Sequence, residues 1–252
     1  MKIIITGKKI VKTFGEGEEK VGALNGVDVE ISQGEFAAIM GPSGSGKSTL
    51  LFALSGMDSI TSGSVRFCDT ELSELRENDL ADIRRMKMGF VFQQPTMLKN
   101  LNILDNIILP ALYEGKKNAA GITQKAKSLM KKTGISGLEK RDTAEVSGGQ
   151  LQRTGICRAL INSPEILFAD EPTGALNSKA AGEIMGLLSE INKDGTAILL
   201  VTHDAKVAAR ADRVLFTKDG AIVSDLFLDK STGKDFEERA EKVIAQMTAV
   251  GI

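Results

Sequence analysis

The nine residues from Gly41 to Thr49, GPSGSGKST, constrain the fold more than any other segment of the chain. They match the pattern G-x-x-x-x-G-K-[ST] and stand between the apolar run FAAIM and the helical run TLLFALSG, as a phosphate-binding loop requires. Glycines let successive backbone N–H groups turn toward an anion, and the helix N-terminus adds a partial positive charge. The segment therefore predicts a nucleotide site in an α/β fold, formed by Gly41, Pro42, Ser43, Gly44, Ser45, Gly46, Lys47, Ser48 and Thr49.

Lys47 and Ser48 are the reactive side chains of this loop. A lysine at this position reaches the terminal phosphates, and the Ser48 hydroxyl is a ligand for Mg²⁺. The run ILFADEP supplies the partner carboxylate, because Asp170 ends a predicted buried strand, from which P-loop enzymes hold Mg²⁺ directly or through water. Glu171 follows directly and is predicted to accept the proton of an attacking water; the alternative is an ordinary acid at a strand end.

Two further polar residues follow apolar runs. His203 is the one histidine of the chain and follows ILLVT at a predicted strand end, where ligands collect in open α/β sheets. We expect it to contact the γ-phosphate; the alternative is a structural histidine. Gln93 follows the run GFVF where a helical region begins. It is predicted to contact Mg²⁺ or the γ-phosphate and to report their presence, against the alternative of a solvated turn residue.

The order of the sequence patterns predicts one domain with a helical insertion. β-branched runs broken by glycine over residues 2–40 are typical of antiparallel strands, whereas EILFAD and AILLVT are typical of buried parallel strands. After Pro95 strand signals stop and helical spacing begins. We predict an α/β core with an antiparallel β subdomain over 1–94 and 161–235, a helical subdomain over 95–160 and a C-terminal helix over 236–252. That helix would either cover the edge of the core or contact a partner.

Charge and composition exclude several classes of protein. The 32 lysine and arginine residues are balanced by 33 acidic ones, so the chain lacks the positive field that nucleic-acid binding usually needs. The first residues do not resemble a secretion signal, and no apolar run approaches the ~18 residues of a membrane span, so we expect a cytosolic protein. Cys68 and Cys157 are isolated in the sequence, which indicates reduced thiols without a metal or redox role.

A second glycine turn, VSGGQ at residues 146–150, completes a recognisable set. With GPSGSGKST, Gln93, ILFADEP and His203 in this order, the chain resembles the ATP-binding subunits of ABC transporters over nearly its whole length. The resemblance implies a head-to-tail homodimer, with each ATP and its Mg²⁺ between one subunit's P-loop and the other's signature turn. Ser147 would be the N-cap of a helix through QLQRTGICRAL, so that an outward-facing anion site is formed by Ser147, Gly148, Gly149 and Gln150.

The resemblance also covers three positions that depart from the family pattern. Phe14 in KTFG matches the aromatic residue that stacks on adenine, and it keeps the ring face without a hydroxyl. Val146 replaces the usual leucine of the signature, which is a mild apolar change. Asn177 replaces an aspartate in the loop after DEPTG, so a carbonyl acceptor is kept and a charge is lost from the loop that couples the two ATP sites. Because Glu171 is present, we predict two hydrolysing sites in the homodimer.

The transported substrate is predicted from resemblance alone. The segments EKVGALNGVDVEISQGEFAAIMGPSGSGKSTLL, GFVFQQ and DEPTGALNSK are similar to the branch that includes macrolide efflux, lipoprotein release and bacitracin or antimicrobial-peptide resistance. GALNSK and DFEERAEKV favour the peptide-resistance members, with the other two as alternatives. A separate membrane permease is the expected partner; it would dock a helix on MLKNLNILDNIILPAL and hold the chain on the inner face of the membrane. A soluble ABC ATPase without a transport role is disfavoured, since there is one cassette and no coiled-coil insertion.

Overall fold

The computed structural model describes residues 2–15, 17, 20–112, 118–228 and 235–252. By its internal contacts the chain separates into unit 1, Met1–Ala81 with Asn192–Ile252, and unit 2, Asp82–Ile191. The strands are β1 (Ile3–Phe14), β2 (Val21–Ser32), β3 (Phe36–Met40), β4 (Ser62–Phe67), β5 (Thr70–Glu71), β6 (Met88–Phe92), β7 (Ile166–Asp170), β8 (Ala197–Val201), β9 (Arg213–Lys218) and β10 (Ala221–Phe227). The helices are α1 (Lys47–Leu54), α2 (Glu77–Lys87), α3 (Ile103–Ile108), α4 (Ala119–Lys132), α5 (Gly148–Leu160), α6 (Ser178–Lys193), α7 (Ala205–Ala208) and α8 (Phe236–Ala249).

Unit 1 contains an antiparallel sheet in the order β2-β1-β4-β5. The long β-branched strands β1 and β2 pair with Ile5 opposite Ile31 and Ile10 opposite Val27, and these four side chains are buried. Alternation of buried and exposed residues is what a sheet with one solvated face requires. The antiparallel strands predicted for the start of the chain are therefore confirmed.

Unit 1 also contains four neighbouring strands in the order β10-β9-β3-β8. Strand β3 pairs in parallel with both β8 and β9, and all five of its residues are buried. The carboxyl ends of parallel strands lie at the same edge of a sheet, where ligands bind in folds of this class. The loop after β3 and His203 after β8 consequently emerge at one edge.

Unit 2 holds a parallel pair of strands and a helical cluster. Strands β6 and β7 pair in register from Met88 opposite Ile166 to Phe92 opposite Asp170. Among the described residues between 95 and 160 the regular structure is helical, apart from an isolated bridge between Asn102 and Asp142, as the sequence predicts. The cluster packs around buried side chains of Ile103, Ile107, Ala126, Met130, Ile135, Cys157 and Ile161. The proposed bounds of the helical subdomain remain a prediction.

Within the part of the chain that the structure describes, no helix combines the length and the apolarity that crossing a bilayer demands.

Candidate active site

The loop from Gly41 to Gly46 depends on two glycines for different reasons. Gly46 precedes α1 with a φ of 93°, and a Cβ there would stand 2.5 Å from the carbonyl oxygen of Ala23. A Cβ on Gly41 would overlap the carbonyl oxygen of Thr217 in β9. Gly46 is required by its left-handed backbone and its packing, and Gly41 by packing alone. Larger residues at either position would push the loop away from strands β2 and β9.

Ser45 has a structural side chain within the loop. It is 3% exposed, and its Oγ lies 2.9 Å from Oγ1 of Thr217, which donates to the carbonyl of Met40 at 3.1 Å. This buried chain of hydroxyls fixes the loop to β9 and to the end of β3. Thr217 lies 172 positions beyond Ser45, so no local sequence pattern predicts the contact.

Lys47 lies in the interior of the loop and is 8% exposed. Its Nζ donates to the carbonyl oxygens of Gly41 at 2.9 Å and Pro42 at 2.7 Å. Gly44 is exposed, and a Cβ on it would meet no atom within 4 Å. A buried ammonium group, an exposed glycine in the loop above it and the N-terminus of α1 together form a site that suits a polyphosphate. Ser48 and Thr49 lie in the first turn of α1 and are half-buried, whereas Pro42 and Ser43 are exposed.

Phe14 and His203 also belong to unit 1. Phe14 is the last residue of β1, and its side chain is 47% exposed with the Lys12 ammonium 4.8 Å from the ring centroid. His203 is exposed after β8. The next residue, Asp204, caps the short helix α7 by accepting from the Lys206 N–H at 2.8 Å. The exposure of both rings leaves them accessible to a ligand.

Gln93, Asp170 and Glu171 lie together at the ends of β6 and β7. The last paired residues of the two strands are Phe92 and Asp170, so Gln93 and Glu171 follow side by side. A Cβ placed on Gly174 would stand 2.8 Å from Nε2 of Gln93 and 3.3 Å from Oε2 of Glu171. The two side chains thus border the same small space, which a residue larger than glycine would fill. Glu171 has a φ of 45°, a left-handed conformation that is rare for a residue with a Cβ.

Gln152 in α5 supports this arrangement and is not singled out by the sequence. Its side chain is buried, and its Nε2 donates to the carbonyl oxygens of Phe92 at 2.9 Å and Pro172 at 2.8 Å. Those carbonyls flank Gln93 and Glu171 in the chain. One side-chain amide therefore joins helix α5 to the loops that follow β6 and β7. The sequence pattern around Gln152 does not reveal this role.

The signature turn begins helix α5 with a capping box. The Ser147 Oγ accepts from the N–H of Gln150 at 3.3 Å, and the Gln150 Oε1 accepts from the N–H of Ser147 at 2.8 Å. This confirms Ser147 as the N-cap. The Gln150 side chain is engaged within its own helix. The N–H groups of Gly148 and Gly149, at the first two helical positions, lack intrahelical acceptors.

A cavity of about 370 Å³ lies beside this turn within unit 2. Ser147, Gly148 and Gly149 line one part of it, and Asn177 lines another. The Asn177 Oδ1 accepts from the N–H of Ala180 at 2.9 Å and caps α6. The cavity therefore lies beside the start of a helix, whose first N–H groups favour an anion, and its lining also includes the Arg153 guanidinium, which donates to the Glu183 carboxylate at 2.6 Å.

Comparisons with known proteins agree with this geometry. A family profile described as "ABC transporter" matches residues 24–174. The chain is 44% identical, over 88% of its length, to the macrolide export ATP-binding/permease protein MacB of Mannheimia succiniciproducens, and 44% identical over 86% to MacB 1 of Aeromonas hydrophila. It spans 34% and 33% of those two relatives.

Solved structures give the same result. The chain is 39% identical to the dimeric bacterial ABC transporter cassette MJ0796, with a TM-score of 0.84, covering 90% of this chain and all of that one. A second dimeric structure of MJ0796, in a post-hydrolysis state with ADP and phosphate, has 38% identity and a TM-score of 0.83 at the same coverage. The α/β fold with an antiparallel β subdomain and helical parts is therefore shared with these cassettes.

Proposed function

This chain belongs to the ABC transporter family as an ATP-binding, ATP-hydrolysing cassette, and we propose that two copies pair head to tail around ATP to drive a membrane permease. The observation that carries this proposal is the presence of two separate glycine turns, each at the start of a helix where an anion can bind. One is the loop that holds Lys47 in unit 1, and the other is the capped start of α5 in unit 2. A single triphosphate site has use for one such turn, whereas a nucleotide shared between two copies has use for both.

The energy available from these turns is small for each and substantial in combination. A helix N-terminus contributes about 0.3–1 kcal/mol toward an exposed charge and about 2 kcal/mol when partly buried. Two shared nucleotides would engage four such ends, in addition to both copies of Lys47. Pairing would then depend on the γ-phosphate, because its loss removes the group that both copies contact.

The residues near the phosphates would divide the chemistry. Ser48, Asp170 and Gln93 offer hydroxyl, carboxylate and amide oxygens, the donor set that Mg²⁺ prefers, so they would hold the ion. When bound, the ion neutralises charge on the phosphates. Lys47 binds the terminal phosphates, Glu171 takes the proton of the attacking water, and His203 orients the γ-phosphate. Phe14 stacks on adenine.

The cargo proposal follows from the relatives. Both MacB proteins are named for macrolide export, which supports the macrolide-efflux class among the three that the sequence suggests. We therefore place a macrolide-type permease first. A permease for a bacitracin-like peptide is the second candidate, since GALNSK and DFEERAEKV favour it. In either case the cassette would lie on the inner face of the membrane.

The substitution Glu171→Gln tests the catalytic part of this proposal. The amide keeps the size of the side chain and cannot accept the proton, so turnover should fall about 100-fold or more while ATP affinity stays within about twofold. Phosphate release and isothermal titration calorimetry measure the two quantities. Glu165→Gln, at the opposite end of β7, is the matched control and should leave both unchanged. A Glu171→Gln protein that turns over at the normal rate would refute the general-base role.

A further inference from the structure

Lys12 is an unusual lysine because it is almost fully buried beside an exposed aromatic ring. It lies two residues before Phe14 on β1, so both side chains point to the same face of the strand. Lys12 is 7% exposed, whereas Phe14 is 47% exposed. Lysine is almost never fully buried unless it is paired.

Three groups surround the Lys12 ammonium. Its Nζ donates to Oδ1 of Asp58 at 2.7 Å and to the carbonyl oxygen of Ser59 at 2.6 Å. The Phe14 ring is the third, with its centroid 4.8 Å from Nζ. Asp58 and Ser59 come from the loop after α1, so this contact joins the end of β1 to the loop beyond the phosphate-binding helix.

The arrangement gives the exposed Phe14 ring an ordered cationic neighbour before any ligand binds. A cation within about 6 Å of a ring centroid is attracted to the negative face of the π system, more strongly when the cation is desolvated. Because the Asp58 carboxylate and the Ser59 carbonyl hold the ammonium in place, the ring has a fixed neighbour on one face. A side chain that is already ordered loses less conformational entropy when a flat ligand stacks on it.

We infer that Lys12 is a positioning residue for base recognition: held by Asp58, it keeps the Phe14 ring in the orientation that stacks on a purine. This inference rests on the proposed role of Phe14 in adenine binding. Lys12 would contribute to the affinity for the base. It would not contribute to the affinity for the phosphates, which Lys47 and the loop backbone bind. The ring lacks a hydroxyl that could orient it by a hydrogen bond, so the cation takes over that task.

The experiment compares Lys12→Met with the unchanged protein by calorimetry, using ATP and inorganic tripolyphosphate as ligands. Loss of the cation should weaken ATP binding by about three- to tenfold and leave tripolyphosphate binding unchanged. Lys12→Arg keeps the cation and should restore ATP affinity. Lys8→Met removes the same charge from an exposed site on β1 and is the matched control; it should leave the affinities for both ligands unchanged.

A double-mutant cycle with Phe14→Ala separates this inference from the proposed function. Phe14→Ala alone should weaken ATP binding, and Lys12→Met should then have no additional effect. If Phe14→Ala leaves ATP affinity intact, the assignment of Phe14 to adenine is wrong. If Phe14→Ala weakens ATP but Lys12→Met does not, or if Lys12→Met weakens ATP and tripolyphosphate equally, the inference about Lys12 is overturned while the proposed function stands.

Discussion

Cys157 illustrates how the environment of one residue sets its chemistry. Its thiol is fully buried in the helical cluster of unit 2, 3.1 Å from the hydroxyl of Thr133. Burial raises the pKa of this thiol from 9.0 to about 11, and the hydrogen bond with Thr133 offsets only part of that rise. The thiolate is disfavoured, so Cys157 is a packing residue without nucleophilic reactivity at neutral pH.

The raised pKa predicts a pH dependence of stability. The folded state keeps the Cys157 proton to higher pH than the unfolded state does, so the stabilisation is fully present below pH 9 and is lost as pH rises through 11. Two pKa units correspond to about 3 kcal/mol in the free energy of unfolding. Urea unfolding at several pH values should show that loss relative to Cys157→Ala, which lacks the thiol. Parallel curves for the two proteins would contradict the prediction.

Single residues also show what the sequence can and cannot predict about the site. The chemistry of Lys47 and Glu171 can be predicted because their motifs are contiguous and demand those side chains. Thr217, Lys12 and Gln152 are absent from any such motif, since each acts through a partner far along the chain. Their contacts exist only once strands from distant segments have paired, or once a helix has packed on two strand ends.

Side-chain caps begin three of the helices around the site, α5, α6 and α7. Asn177 caps α6 with its Oδ1, a task that aspartate performs equally well. The change from the family's aspartate therefore keeps the capping hydrogen bond and removes a negative charge from the start of α6 and from the cavity beside the signature turn.

The capping hydrogen bond of Asn177 predicts how substitutions at this position change the free energy of unfolding. Asn177→Asp should keep the free energy of unfolding or raise it by up to about 1 kcal/mol, because a carboxylate favours a helix N-terminus. Asn177→Ala should lower it by about 1 kcal/mol. The control is Asn118→Ala at the start of α4, where the asparagine side chain makes no capping hydrogen bond. Equal losses at the two positions in urea unfolding would show that Asn177 does not act as a cap.

The C-terminal helix follows its predicted apolar face except at one position. The apolar spacing predicts a face of Phe236, Ala240, Val243, Ile244, Met247 and Val250; of these, Ala240 and Val243 are buried, and Phe236, Met247 and Val250 are half-buried. Ile244 is 51% exposed, and Arg239 is buried instead, donating to the carbonyl oxygens of Ala209 and Ala211. Carbonyl oxygens at the end of a helix have no intrahelical donor, so they can accept hydrogen bonds from a guanidinium. The hydrophobic periodicity of α8 does not reveal that such carbonyls lie opposite position 239.

The fold class of the whole chain is predictable because two hydrophobic periodicities, one typical of strands and one of helices, alternate along it. Strand runs that frame a phosphate loop predict the parallel strands of unit 1, and the helical spacing after Pro95 predicts the helical cluster of unit 2. Each unit carries one glycine turn at the start of a helix, and the two turns lie about 100 residues apart in the sequence. No pattern within a single chain states that the second turn serves another copy; that step comes from the family.

The decisive measurement is the mass of the protein in solution with ATP, by size-exclusion chromatography with light scattering. In the Glu171→Gln background, where ATP persists, the protein should be a dimer with ATP and a monomer without it. Adding Ser147→Arg should leave ATP binding intact and keep the protein monomeric, because the bulky side chain occupies the turn proposed to contact the second copy's nucleotide. Ser147→Thr, which retains the capping hydroxyl, is the matched control and should dimerise. A Ser147→Arg protein that dimerises on ATP as readily as its control would contradict the shared-nucleotide account.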